Sequence, residues 1–145
     1  MQLIILIGLQ ASGKSTFARE RFFDCIYISK DAMRNVKKKE QRQQRLLREA
    51  LAKGHSVVVD NTNPSRADRA ALITIGQEFG AEIVGYFFAS RINDCLERNR
   101  QREGAACVPD VALYTTRARL ECQRMRKALT GYALSKLIPK VTDLW

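Results

Sequence analysis

Residues 8–15 run Gly-Leu-Gln-Ala-Ser-Gly-Lys-Ser. A glycine, four residues and then Gly13, Lys14 and Ser15 is the spacing of a phosphate-binding loop. The flanks suit it. The apolar run at 3–7 reads as a strand buried on both faces, and the stretch from Thr16 to about Arg21 reads as a helix. Glycines let the backbone curl so that successive amides face one concavity. The helix behind adds unpaired amides and the positive end of its dipole. Lys14 brings a mobile full charge for the outer phosphates, and Ser15 brings a hydroxyl for magnesium. Gly8, Gln10, Ala11, Ser12, Gly13, Lys14, Ser15 and Thr16 are therefore the expected nucleotide-binding positions. ATP and Mg2+ are the expected cofactors.

The remaining 3.6- and 2-residue periods alternate strand with helix. Strands are expected at 25–29, 57–59 and 83–89, with an edge strand at 137–141 that tolerates Pro139. Helices are expected from about residue 30, through the charged stretch 37–53, from Pro64 to about 79, over 90–102, and from Pro109 to about 128. Ser29 or Asp31 could cap the helix after the second strand. Leu46, Leu47, Ala50 and Leu51 form the packing stripe of 37–53, and Ile92, Cys95 and Leu96 that of 90–102. Such alternation implies a P-loop NTPase three-layer α/β sandwich, with a parallel sheet of about five strands and a helical lid. The expected organisation is one domain over 1–145, with the lid at about 91–108. Ligands in such sheets sit beyond the carboxyl ends of the strands.

Composition bounds the rest. A chain of 145 residues carries one core rather than two. Hydrophobic residues make up 46%, which favours a globular fold. No apolar run approaches the roughly 20 residues of a membrane span, and no signal peptide is read at the N-terminus. Cys25, Cys95, Cys107 and Cys122 form no CxxC pair, and the chain has 1 histidine. Buried free thiols in a cytoplasmic protein are the expectation, rather than a zinc site. The net charge of +10 favours anionic partners.

Phosphoryl transfer needs a phosphate cradle, a magnesium site, a group for the acceptor's proton and positive charge on the moving phosphoryl. Asp60 ends an apolar strand and is placed to support the metal with Ser15, or else to cap a helix. Asp31 follows the next strand, with Arg34 three residues on. If 30–34 is helical the two share a face. Asp31 could then accept a hydroxyl proton while Arg34 holds an anion on the acceptor, unless Asp31 is a helix cap. Arg98 and Arg102 at i and i+4 could grip phosphate together, or could belong to a solvated basic face. Lys37, Lys38, Lys39, Arg42, Arg45 and Arg48 lie mostly off the 37–53 stripe, as a solvated face or as one that guides a phosphate backbone.

The loop, Ile28-Ser29-Lys30-Asp31-Ala32-Met33-Arg34, Asp60-Asn61-Thr62-Asn63-Pro64 and Arg98-Asn99-Arg100-Gln101-Arg102 follow the order and spacing of polynucleotide 5′-hydroxyl kinases. The chain resembles the kinase module of polynucleotide kinase-phosphatases and phage end-healing kinases over about residues 3 to 120. That resemblance implies transfer of the γ-phosphate of ATP to a 5′-OH end of DNA or RNA. It implies Asp31 as general base, Arg34 on the acceptor's 3′-phosphate, Arg98 and Arg102 as lid arginines, and Asp60 and Asn61 on the acceptor side. A phosphatase or ligase would then be a separate partner. A kinase of a small-molecule hydroxyl shares the donor half of this reading. A nucleic-acid-binding switch that uses ATP for ordering has no need of Asp31.

Overall fold

Every residue from Leu3 to Ile7 is apolar and buried, so β1 (Gln2–Gly8) needs cover on both faces. The computed structural model, which describes residues 1–121, provides that cover. In chain order the elements are α1 (Lys14–Arg21), β2 (Ile26–Ile28), α2 (Lys39–Ala52), β3 (Val57–Asp60), α3 (Arg66–Glu78), β4 (Glu82–Phe88), α4 (Ile92–Arg100) and α5 (Asp110–Arg119). The strands pair in parallel in the order β2-β3-β1-β4. The phosphate loop therefore leaves an interior strand.

Successive side chains leave β1 on opposite faces, and each set has its own core. Leu3, Ile5 and Ile7 pack with Val57 and Val59 against Leu47, Ala50 and Leu51 of α2 and Leu72 and Ile75 of α3. Ile4, Leu6 and Val58 pack against Phe17 and Ala18 of α1. Phe17 also meets Phe22, Tyr86 and Phe88 at ring centroids 5.3–5.7 Å apart. Burying each large aliphatic side chain contributes about 1.5–3 kcal/mol. A third cluster, Leu9, Cys95, Leu96 and Leu113, fastens α4 and α5 to the phosphate loop. This is the three-layer sandwich that the alternation implies. Four strands lie among the described residues, and the expected strand at 137–141 lies outside them.

Four of the boundaries that differ from expectation have a plain local reason. Residues 30–34 form turns rather than a helix. The Asp31 amide donates to Ser29 Oγ at 3.3 Å, Met33 packs into the α2–α3 core, and Asn35 has φ of 61°. The α3 helix begins after Pro64, because Ser65 caps it in a reciprocal capping box with Asp68. The α4 helix stops at Arg100, ahead of the positive-φ Gly104. The last described helix stops at Arg119. There Leu120 packs into the core and the Glu121 amide donates to the Pro64 carbonyl at 2.9 Å. Cys95 is buried as expected, Cys25 is half-buried and Cys107 is exposed; Cys122 lies outside the described residues. Among the described residues no helix is long and apolar enough to cross a membrane.

Candidate functional site

The loop at 8–15 is built by close approach. An added Cβ on Gly8 would lie 2.9 Å from Phe88 Cβ, in a backbone with φ of 154°, so β4 leaves room only for glycine. Gly13 has φ of 88° and occupies the N-cap of α1 without a side-chain cap. The first amides of α1 thus have no side-chain acceptor and face the concavity of the loop. Lys14 is buried beneath it. Its Nζ donates to the Gly8 carbonyl at 3.1 Å, the Leu9 carbonyl at 2.6 Å and Ser12 Oγ at 3.3 Å.

That burial pulls the Lys14 pKa from about 10.5 to about 8. Asp60 and Asp31 oppose the shift, and Arg102 reinforces it. Asp31, Asp60 and Arg102 therefore all act electrostatically on Lys14, although they come from separate parts of the chain.

The strand ends bring the acidic residues in. Asp60 lies opposite Leu6 in the β1–β3 register and is buried. Its Oδ2 accepts from Ser15 Oγ and from Tyr27 Oη, both at 2.5 Å. Burial, and then the bond to Asp60, raises the Tyr27 pKa. The sequence places Ser15 and Asp60 on the metal side, and the structure joins them by this hydrogen bond. Tyr27 was not, because a tyrosine in a short strand reads as sheet packing.

The segment after Asp60 is stitched to the phosphate loop. Gly8 N donates to the Thr62 carbonyl at 3.0 Å. Asn63 Nδ2 donates to the Leu6 carbonyl at 2.8 Å. Buried Arg69 donates from Nη1 to the Asn63 and Pro64 carbonyls, at 2.7 and 3.0 Å. Asn61 faces the other way. Its Oδ1 accepts from Lys30 N at 2.9 Å, and its Nδ2 donates to buried Gln43 Oε1 at 2.6 Å. Asn61 thereby couples the end of β2 to α2.

Asp31 and Arg34 are both exposed, on either side of the anchored Met33. The turn leaves both exposed, without the shared helix face that the sequence suggested. Asp31 caps no helix, since α2 starts eight residues later. Arg98 and Arg102 also share no helix face. Arg98 lies on α4 and donates from Nη1 to the Ala11 carbonyl at 2.8 Å. Arg102 lies beyond the helix and donates to the Ala106 carbonyl at 3.4 Å. Buried Asn99, between them, closes the following loop through both polar atoms onto Val108, at 2.6 and 3.1 Å. Gln10 Nε2 bonds Thr116 Oγ1 at 2.9 Å, a second tie between the loop and the α4–α5 cover.

Among the described residues no three His, Cys, Asp or Glu side chains cluster as a metal cage. Ser15 and Asp60 offer one hydroxyl and one carboxylate. That donor set fits magnesium, which keeps several waters and takes phosphate oxygens rather than an all-protein cage.

The family model that matches the chain is described as an AAA domain and covers residues 3–129. The chain is 33% identical to an L-seryl-tRNA(Sec) kinase of Methanococcus maripaludis, over 69% of this chain and 46% of that protein. It is 36% identical to a bifunctional polynucleotide phosphatase/kinase of Schizosaccharomyces pombe, over 54% of this chain and 19% of that protein. It thus spans less than half the length of these curated relatives. Among solved structures it is similar to a gluconokinase from Sinorhizobium meliloti 1021, with a TM-score of 0.61 and 22% identity, covering 85% of this chain and 77% of that one. At that identity the likeness speaks for the fold alone.

Proposed function

The chain belongs to the AAA domain family, and from that premise we propose that it is an ATP-dependent, magnesium-dependent kinase whose acceptor is a 5′-OH end of DNA or RNA. The observation that carries this reading is the meeting of four parts at the carboxyl ends of β1, β2 and β3. These are the phosphate loop, the Ser15–Asp60 pair, the Asp31 turn and Arg98. The open acceptor side points to an extended anion, because Asp31 and Arg34 are exposed rather than enclosed in a small pocket. The partly matching polynucleotide phosphatase/kinase agrees with that choice.

In this reading the loop amides and Lys14 hold the triphosphate, and Arg98 and Arg102 neutralise its outer oxygens. The Asp31 carboxylate accepts the proton of the acceptor hydroxyl as its oxygen bonds the γ-phosphorus. The bond from that phosphorus to the bridging oxygen of ADP breaks, and ADP leaves. Arg34 holds the acceptor's 3′-phosphate. Asn61 fixes the Asp31 turn. Magnesium, held by Ser15 with Asp60 in support, would supply charge neutralisation on the phosphates. The whole chain acts as one kinase domain, with the segment at about 91–108 as its lid over the nucleotide. A phosphatase or ligase partner would complete end healing.

The likeness to an L-seryl-tRNA(Sec) kinase favours a second reading, in which the hydroxyl is carried elsewhere on an RNA. One experiment separates the two. Labelled γ-phosphate is offered to 5′-OH DNA and RNA oligonucleotides, to 5′-phosphorylated controls and to seryl-tRNA, with and without magnesium. Label on the 5′-OH strands alone is the expected result. Label on seryl-tRNA alone selects the second reading. No label on any nucleic acid, from protein that binds ATP, would exclude both.

Tyr27→Phe tests the metal side. The change removes one of two donors onto Asp60 and keeps the ring. A hydrogen bond to a charged group contributes about 1.5–3 kcal/mol, less here because Tyr27 is exposed on one side. The magnesium concentration for half-maximal rate should rise about tenfold, while ATP affinity without magnesium stays unchanged. An unshifted magnesium curve would assign Tyr27 to packing.

A further inference from the structure

We infer that Lys37, Lys38, Lys39 and Arg42 form a track for the phosphate backbone of a nucleic-acid acceptor, leading away from Asp31 and Arg34. This inference rests on the polynucleotide reading of the site and extends it to nucleotides beyond the first.

The first observation is where charge is neutralised and where it is not. The cations around α2 divide into two groups. Lys30 pairs with Glu40, Arg45 with Glu49 and Arg48 with Glu78. Among the described residues, Arg34, Lys37, Lys38, Lys39 and Arg42, and Lys53 at the far end of α2, have no ion pair, and all six are exposed. Five of the six lie in the first turns of α2 or in the segment between Asp31 and that helix.

The second observation is placement. Buried Gln43 bonds Asn61, and Asn61 accepts from Lys30 N, one residue before Asp31. The first turns of α2 are therefore fastened beside the acceptor turn. Lys39 and Arg42 lie within one helical turn of Gln43.

The third observation is energetic. Lys37, Lys38 and Lys39 crowd the start of α2, whose N-cap, Lys38, makes no side-chain cap bond. Positive charge at the positive end of a helix dipole is unfavourable. The arrangement costs the free protein stability, and a bound polyanion reverses that cost. Contacts to successive phosphates carry no base preference, so the track lengthens the footprint without reading sequence.

The test is the variant Lys37→Gln/Lys38→Gln/Lys39→Gln/Arg42→Gln. Binding of a 5′-OH DNA dodecanucleotide is followed by fluorescence anisotropy between 50 and 200 mM salt. Four lost single-strand phosphate contacts should flatten the log–log salt slope by about 3 units, which is about 50-fold in affinity across that range. Transfer to a nucleoside 3′-monophosphate, which reaches no further than Arg34, should stay within about twofold of wild type. The thermal midpoint should equal or exceed that of wild type. An unchanged salt slope, or an unchanged preference for the dodecanucleotide over the mononucleotide, would overturn the track while leaving the kinase reading standing. A wild-type protein that phosphorylates neither acceptor would overturn the kinase reading, and the salt series would still decide the track.

Discussion

Asp31→Asn is expected to bind ATP within about twofold of wild type and to transfer phosphate about 10²–10⁴ times more slowly, the usual contribution of a positioned general base. The substitution keeps shape and removes the proton acceptor. It should cost the fold little, because the turn is held by backbone and neighbours: the Asp31 amide on Ser29, the Lys30 amide on Asn61 and Met33 in the core. The side chain itself is exposed and caps no helix. Its one link to the donor half is electrostatic, a small upward pull on Lys14. Binding of a non-hydrolysable ATP analogue by calorimetry, beside single-turnover transfer, checks both halves. A variant that no longer binds nucleotide would make Asp31 part of the donor site. A variant that transfers at the wild-type rate would remove the general base from the mechanism.

The division between what the sequence reveals and what it conceals follows from the range of the forces. The run at 3–7 demands two covered faces whatever surrounds it, and Gly8 and Gly13 mark their turns locally. The strand, the loop and the first helix are therefore legible residue by residue. Asp60 is legible too, as an acid closing an apolar strand. The missed residues are polar groups whose partners lie far along the chain. Tyr27 meets Asp60 across 33 positions, and Gln43 meets Asn61 across 18. Arg69 serves carbonyls of a turn that the sequence reads as helix start. Periodicity sends polar residues to the surface, and it gives no signal that Gln43, Arg69 and Asn99 are buried.

The two helix errors share a cause. At 30–34 and at 100–102 the propensities permit a helix, and a contact elsewhere decides against it. Met33 is drawn into the core at the first, and Asn99 binds Val108 at the second. Both errors bear on the site. In the structure neither Asp31 with Arg34 nor Arg98 with Arg102 shares a helix face.

Lys14→Met should lower transfer by about 10²–10³-fold, the cost of losing one preorganised charge on a developing anion, and should also change how stability depends on pH. In the folded, nucleotide-free protein burial holds the Lys14 pKa near 8, whereas the unfolded chain titrates near 10.5. Between those values the unfolded state binds more protons than the folded one. Stability linked to Lys14 therefore rises as pH goes from about 8 to about 10.5, and below about pH 8 its full unfavourable contribution is present. Methionine abolishes that term. With chelator present, wild-type stability minus variant stability should climb through this window, and other lysines and tyrosines cancel in the difference. Methionine also leaves the Gly8 and Leu9 carbonyls without their donor, so the pH slope is a cleaner readout than the midpoint at one pH. Nucleotide binding gives the complementary sign. Phosphate favours charged Lys14, so wild-type affinity for ATP should fall as pH rises above about 8, with proton uptake on binding, and the variant should show neither. Calorimetry in two buffers of different ionisation enthalpy measures the uptake directly. A wild-type protein that takes up no proton at pH 8.5 would mean that Lys14 is already charged in its buried seat, held there by the loop carbonyls more strongly than burial opposes it.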